Sequence, residues 1–129
     1  LLLAACTLGA FAVGMRWYGT EGEALRHAVT IAFMTLAMAQ VLHAFNARSR
    51  TESAFSSRLF TNGWLWGAVV VCVGLQLAAV YIGGLRDVLG TVALNAGDWG
   101  VVAAGSALPV AVVEAVKAVQ RRGTLPRTP

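Results

Sequence analysis

Four stretches of this chain are too long and too apolar to be at home in water: Leu1 to Met15, Ala28 to Phe45, Trp64 to Ile82 and Trp99 to Val119. About 20 apolar residues in helical form cross a hydrocarbon core of about 30 Å. Inside that core the backbone finds no water, so each stretch must satisfy its own amides and carbonyls, which a helix does within one segment. The expected fold is therefore all-α, a polytopic membrane protein with four transmembrane helices. Composition agrees, with 57% hydrophobic and 12% charged residues and a mean hydropathy of +0.68. Little is left for a water-soluble domain, and residues 1–129 read as one membrane domain.

The first stretch starts at Leu1 without an initiating Met or a basic leader. It reads as a truncated span rather than a signal peptide, and the chain as a fragment of a larger protein.

Basic residues set the expected orientation, because Lys and Arg accumulate in cytoplasmic loops. Arg48, Arg50 and Arg58 follow the second span, and Lys117, Arg121, Arg122 and Arg127 end the chain. Both termini are expected in the cytoplasm. Trp17, Tyr18, Tyr81 and Trp99 then mark the outer boundary and Trp64 and Trp66 the inner one, since Trp and Tyr favour the headgroup zone. The net charge of +4 is read as positive-inside bias with anionic-lipid contact, not as a nucleic-acid surface.

Turn chemistry brackets the spans. Gly19 and Gly22 fall in the first connection, Asn62-Gly63 precedes the third span, Gly83-Gly84 ends it, and Asp98 is placed to cap the fourth helix. Residues 123–129 read as a frayed tail. Ala103, Ala107, Ala111 and Ala115 form a small-residue stripe against which a neighbouring helix is expected. Pro109 is expected to bend the last helix, with Gly105 relieving the crowding one turn earlier.

Few residues offer chemistry. Cys6 and Cys72 sit singly in different spans and read as small core residues, and His27 as exposed in a loop. No Gly-rich phosphate loop, Ser/His/Asp arrangement or paired carboxylate occurs, so the chain alone is expected to have no catalytic site and no cofactor. Glu114 and Lys117, spaced i,i+3, are expected to neutralise each other near the cytoplasmic boundary. Gln40 is harder to absorb. It lies about 4 to 5 Å from the middle of the second span, on one face with His43, while Asn46 points elsewhere. Its amide either bonds a neighbouring helix or lends its carbonyl oxygen to a cation path, since hard cations accept neutral oxygens as well as carboxylates.

Four blocks in order, "RHAVTIAFMTLAMAQVLHAFNARS", "LFTNGWLWGAVVVCVGLQLAAVYI", "LRDVLGTVAL" with Asp98-Trp99, and "VVEAVKAVQRR", resemble the C-terminal membrane region of P-type cation-transporting ATPases, in particular their calcium-pump-like bacterial branch. The Gln40-x-x-His43-Ala44-Phe45-Asn46 block is the most diagnostic. The resemblance implies that the spans are the seventh to tenth helices of a ten-helix pump. It also implies a parent that uses ATP and Mg, forms an aspartyl-phosphate on domains upstream, and moves a cation such as Ca across the bacterial plasma membrane. The implied partners are the upstream helices and cytoplasmic domains, the lipid bilayer and the transported cation. By alignment on the following Asn46, Gln40 takes the position of a calcium-binding glutamate in sarcoplasmic-reticulum-type pumps, a departure that implies a weakened or absent carboxylate site. Gly83-Gly84 departs from the proline common after the tyrosine. The alternative is a self-contained four-helix membrane transporter or scaffold; small exporters of that kind resemble one another in a first-helix glutamate, which residues 1–15 lack.

Overall fold

The computed structural model describes residues 1–48 and 63–123. Among them the chain is all-helical, in the order α1 (Leu2–Tyr18), α2 (Gly22–Arg48), α3 (Gly63–Tyr81), α4 (Gly83–Leu89) and α5 (Ala96–Gly123). Stretches in α2, α3 and α5 are long and apolar enough to cross a membrane. α1 is a shorter apolar helix of 17 residues, about 25 Å at 1.5 Å per residue. The basic loop carrying Arg50 and Arg58, the Asn62 turn residue and the tail from residue 124 onward lie outside the described residues.

α1, α2 and α5 form the packed unit, and glycine decides how close they come. Without hydrophobic driving force between helices in lipid, association rests on close van der Waals contact, which small residues permit. Gly14 of α1 is buried, and a Cβ there would stand 2.7 Å from Ala28 Cα. Gly105 of α5 is the second such point, where a Cβ would meet Thr35 Cγ2 at 2.8 Å. Between these two contacts lie Ala10, Ile31, Met34 and Val102, joined by Val80 and Leu94 in one core cluster.

α3 is held differently. Its buried residues are Ala79 and Val80, both in the last turn, so among the described residues it touches the unit at that end, and most of its residues are exposed. That end is fixed by hydrogen bonds from loop to helix. Thr91 Oγ1 donates to Ala79 O, and Tyr81 Oη donates to Leu94 O at 3.1 Å.

Several expectations are corrected. Gly83-Gly84 do not close the third span with an open turn. They begin α4, a helix of seven residues, and the chain changes direction at extended Ile82 and at Gly90, whose φ of 66° closes α4 in the left-handed conformation that glycine adopts without a Cβ penalty. Asp98 is not the cap residue of the last helix. α5 starts at Ala96, Asn95 Oδ1 accepts from the Asp98 N–H at 3.0 Å, and Asp98 Oδ2 accepts from the Asn95 N–H at 2.9 Å. This is a reciprocal capping box with Asn95 in front and the acidic residue three positions on.

His27 is not in a loop, because α2 begins at Gly22 and carries it in its second turn. The alanine stripe of α5 is exposed at Ala103, Ala107, Ala111 and Ala115; Val102, Ser106 and Pro109 are buried instead, since Gly105 already supplies the close approach on that side. α5 runs as one helix through Pro109. Cys6 is half-buried and Cys72 is exposed, both as free thiols, so Cys72 is not a core residue of this chain.

Candidate functional site

Gln40 projects from α2 away from the packed unit. The helix buries Ala28, Ile31, Met34, Thr35 and Ala39, whereas Gln40 and His43 are exposed. They continue a row with Val29, Phe33 and Leu36, which are 50%, 44% and 39% exposed. The alternating steps of four and three residues from Val29 to His43 put all five on one face, the spacing of a seam between helices. The row is apolar toward the Gly22 end and polar toward the Arg48 end. The midpoint of α2 is Thr35, so Gln40 lies about 7.5 Å along the axis from it, farther than the apolar run alone suggested, because the helix begins six residues before that run.

No group of three His, Cys, Asp or Glu side chains that could hold a metal forms among the described residues. The only group Gln40 brings to a cation is a neutral carbonyl oxygen. Glu114 and Lys117 do meet, Nζ to Oε1 at 3.2 Å. A second amide in a span, Gln76 of α3, was not singled out by spacing. Its Oε1 is shut off from solvent without a hydrogen-bond donor among the described residues.

The residues that sequence spacing did not connect lie at the other end of the bundle. Asp98 is fully buried, a costly position for a carboxylate unless it is bonded and paired. Its Oδ1 accepts from Tyr18 Oη at 2.9 Å, its Oδ2 accepts from the Asn95 N–H, and His27 Nε2 stands 3.5 Å from Oδ2. The first turn of α5 adds its positive end. His27 is held over Tyr18, with ring centroids 4.1 Å apart and planes 20° from parallel.

Asn95 Nδ2 donates to Tyr18 Oη at 2.6 Å, and Trp99 Nε1 donates to Tyr81 Oη at 2.8 Å. Thr30 Oγ1 donates to Arg26 O at 2.7 Å and accepts from the Val92 N–H at 3.1 Å. Tyr18, Tyr81 and Trp99, expected at one boundary from their residue type, thus do gather at one end. Together with His27, Thr30, Asn95 and Asp98 they tie α1, α2, α3 and α5 into a clasp. The one signal for it in the sequence was Asp98, three residues after Asn95 and just before an apolar run.

The family model described as "Cation transporting ATPase, C-terminus" matches residues 1–119. The chain is 35% identical over 127 residues to "Calcium-transporting ATPase 1" of Bacillus cereus, covering 89% of this chain and 14% of that protein. It is 44% identical over 92 residues to "Calcium-transporting ATPase" of Bacillus subtilis, covering 71% and 10%. It is 35% identical over 102 residues to an endoplasmic reticulum calcium ATPase of Aspergillus fumigatus, covering 79% and 10%. The chain therefore spans only between 10% and 14% of the length of these relatives.

Proposed function

Because the chain belongs to the family of cation-transporting ATPase C-terminal regions, we propose that it is the last part of the membrane domain of an ATP-driven calcium pump in a bacterial plasma membrane. The observation that carries this reading is the agreement between the family match and the uncovered row on α2. A membrane helix that presents Val29, Phe33, Leu36, Gln40 and His43 at seam spacing is built for a further helix, and in this reading the partner is an upstream helix of the same pump. Gln40 then borders the cation path and offers one neutral oxygen to the transported ion, with the other ligands supplied by helices outside this chain.

The division of labour follows from what these residues lack. ATP, Mg and the phosphorylated aspartate belong to upstream domains. The clasp around Asp98 and the two glycine contacts make α1, α2 and α5 a rigid support, against which moving helices of the pump can work. Both chain ends face the cytoplasm, lipid surrounds α3, and the basic loop and tail meet anionic headgroups.

Formation of the acid-stable phosphoenzyme tests the proposal. The whole polypeptide that carries this segment is expected to incorporate radioactive phosphate from ATP in a calcium-dependent manner, while residues 1–129 alone incorporate none. Labelling of residues 1–129 alone, or calcium-independent labelling of the whole, would refute it.

A further inference from the structure

Beside the clasp, between α2 on one side and α4 with the loop after it on the other, the surface sinks into a recess of about 580 Å³. Tyr18, Glu23, Arg26, His27, Arg86 and Asp87 contribute to its wall. Two arginines and two acidic residues thus line one space. Among the described residues the ion pairs are His27 with Asp98 and Lys117 with Glu114, so none of the four charges is paired with another. The Arg26 Nε–H donates to Gly90 O at 3.2 Å, which holds that side chain across the recess. Arg86 is half-buried, and its guanidinium makes no hydrogen bond among the described residues.

The helix that lends Arg86 and Asp87 to the wall also carries exposed apolar side chains. Val88, which follows Asp87, is 83% exposed, and Leu89 after it and Tyr81 and Ile82 just before α4 are more than half exposed. Aromatic and apolar side chains open to the outside beside a charged hollow describe the depth where acyl chains end and headgroups begin.

We propose that this recess binds the phosphoethanolamine headgroup of a membrane phospholipid. Opposite charges held apart around one space fit a ligand that carries both signs a few atoms apart. The phosphodiester takes the two guanidinium groups, Arg being suited to planar, paired recognition of phosphate oxygens. The ammonium takes Glu23 and Asp87 and donates up to three hydrogen bonds that a choline headgroup cannot. A purely anionic headgroup leaves the carboxylates facing negative charge, which selects against it. The source is a lipid rather than a free phosphate ester, because Val88 and Leu89, which follow Asp87 on α4, are exposed and offer apolar surface along which a diacyl chain can leave.

Native mass spectrometry tests this on the whole polypeptide carrying the segment, released from nanodiscs of phosphatidylcholine mixed with phosphatidylethanolamine or with phosphatidylglycerol. The unaltered protein is expected to retain one phosphatidylethanolamine in preference to either other lipid. Arg86→Gln is expected to lower that occupancy roughly tenfold, about the loss of one charge-assisted hydrogen bond pair, without disturbing the fold, since the Arg86 guanidinium makes no hydrogen bond among the described residues and its backbone bonds to Ile82 and Thr91 are kept. Arg26→Lys, which keeps the charge, should retain the lipid at reduced occupancy. Glu23→Gln with Asp87→Asn should still retain phospholipid but lose the preference for ethanolamine over choline. Equal retention of the three lipids by the unaltered protein, or unchanged retention in Arg86→Gln, would overturn the proposal. Retention of water-soluble O-phosphoethanolamine by delipidated protein, with no retention of the lipid, would overturn its assignment to a membrane lipid.

Discussion

Gln40 stands on an exposed face of α2 that is otherwise apolar toward the Gly22 end, and two substitutions separate its possible roles. In the whole pump, Gln40→Leu is expected to raise the calcium concentration that half-activates ATP hydrolysis about five- to a hundredfold, the equivalent of ~1 to 3 kcal/mol for one lost polar partner, while saturating calcium still supports phosphorylation. Gln40→Glu supplies the carboxylate that hard cations favour and should raise the affinity or add a pH-sensitive site. Unchanged calcium activation in both variants would reduce Gln40 to a packing amide.

Gly105 permits an equally specific test. Gly105→Ala puts a methyl 2.8 Å from Thr35 Cγ2, an overpacking expected to cost ~1 to 3 kcal/mol. Thr35→Ser removes that methyl and keeps the hydroxyl that donates to Ile31 O at 2.8 Å. The double variant should therefore unfold at a higher temperature than Gly105→Ala alone, and additive losses in thermal unfolding would contradict the contact. Residue type revealed Gln40, because an amide in an apolar run is conspicuous. It did not reveal the role of Gly105, read as relief for Pro109, since the crowding comes from another helix. Nor did it place His27 or Asp98 correctly, because their partners are far away in sequence.

At the scale of elements, length and hydropathy were enough for the four long helices, since a membrane leaves few other backbone solutions. Their ends were less legible. α1 and α2 continue past the apolar runs to Tyr18 and back to Gly22, which carries Trp17, Tyr18, Arg26 and His27 into helix. α4 was missed because Gly83-Gly84 reads as a stop, whereas the turns are made at Ile82 and Gly90. The face chosen by α5 was also misread: alanine spacing identifies a surface that tolerates close approach, and Gly105 is the surface that this chain uses.

The connection between α3 and α5, which contains α4, is expected on the outer side. In a background without Cys6 and Cys72, a cysteine replacing Gly84 should react with an impermeant thiol reagent added to intact cells, and one replacing Ser53 should not. The reverse pattern would invert the topology.

For the molecule as a whole, the uneven packing is the informative feature. α1, α2 and α5 share a core and a buried carboxylate clasp, α3 is attached by one end, and the Gln40 row and the alanine stripe both face away from the chain. Such a unit is half of an interface, which suits the last helices of a larger membrane domain. Ordered sequence blocks made that legible as a family likeness, but which surfaces await a partner required the folded arrangement. The most direct measurement is ATP-driven uptake of radioactive calcium into inverted membrane vesicles from cells expressing the whole polypeptide, with and without residues 1–129. The account predicts ionophore-releasable calcium accumulation by the intact protein and its loss on deletion. Uptake that persists undiminished without these residues, or an intact protein that accumulates no calcium with ATP, would contradict it.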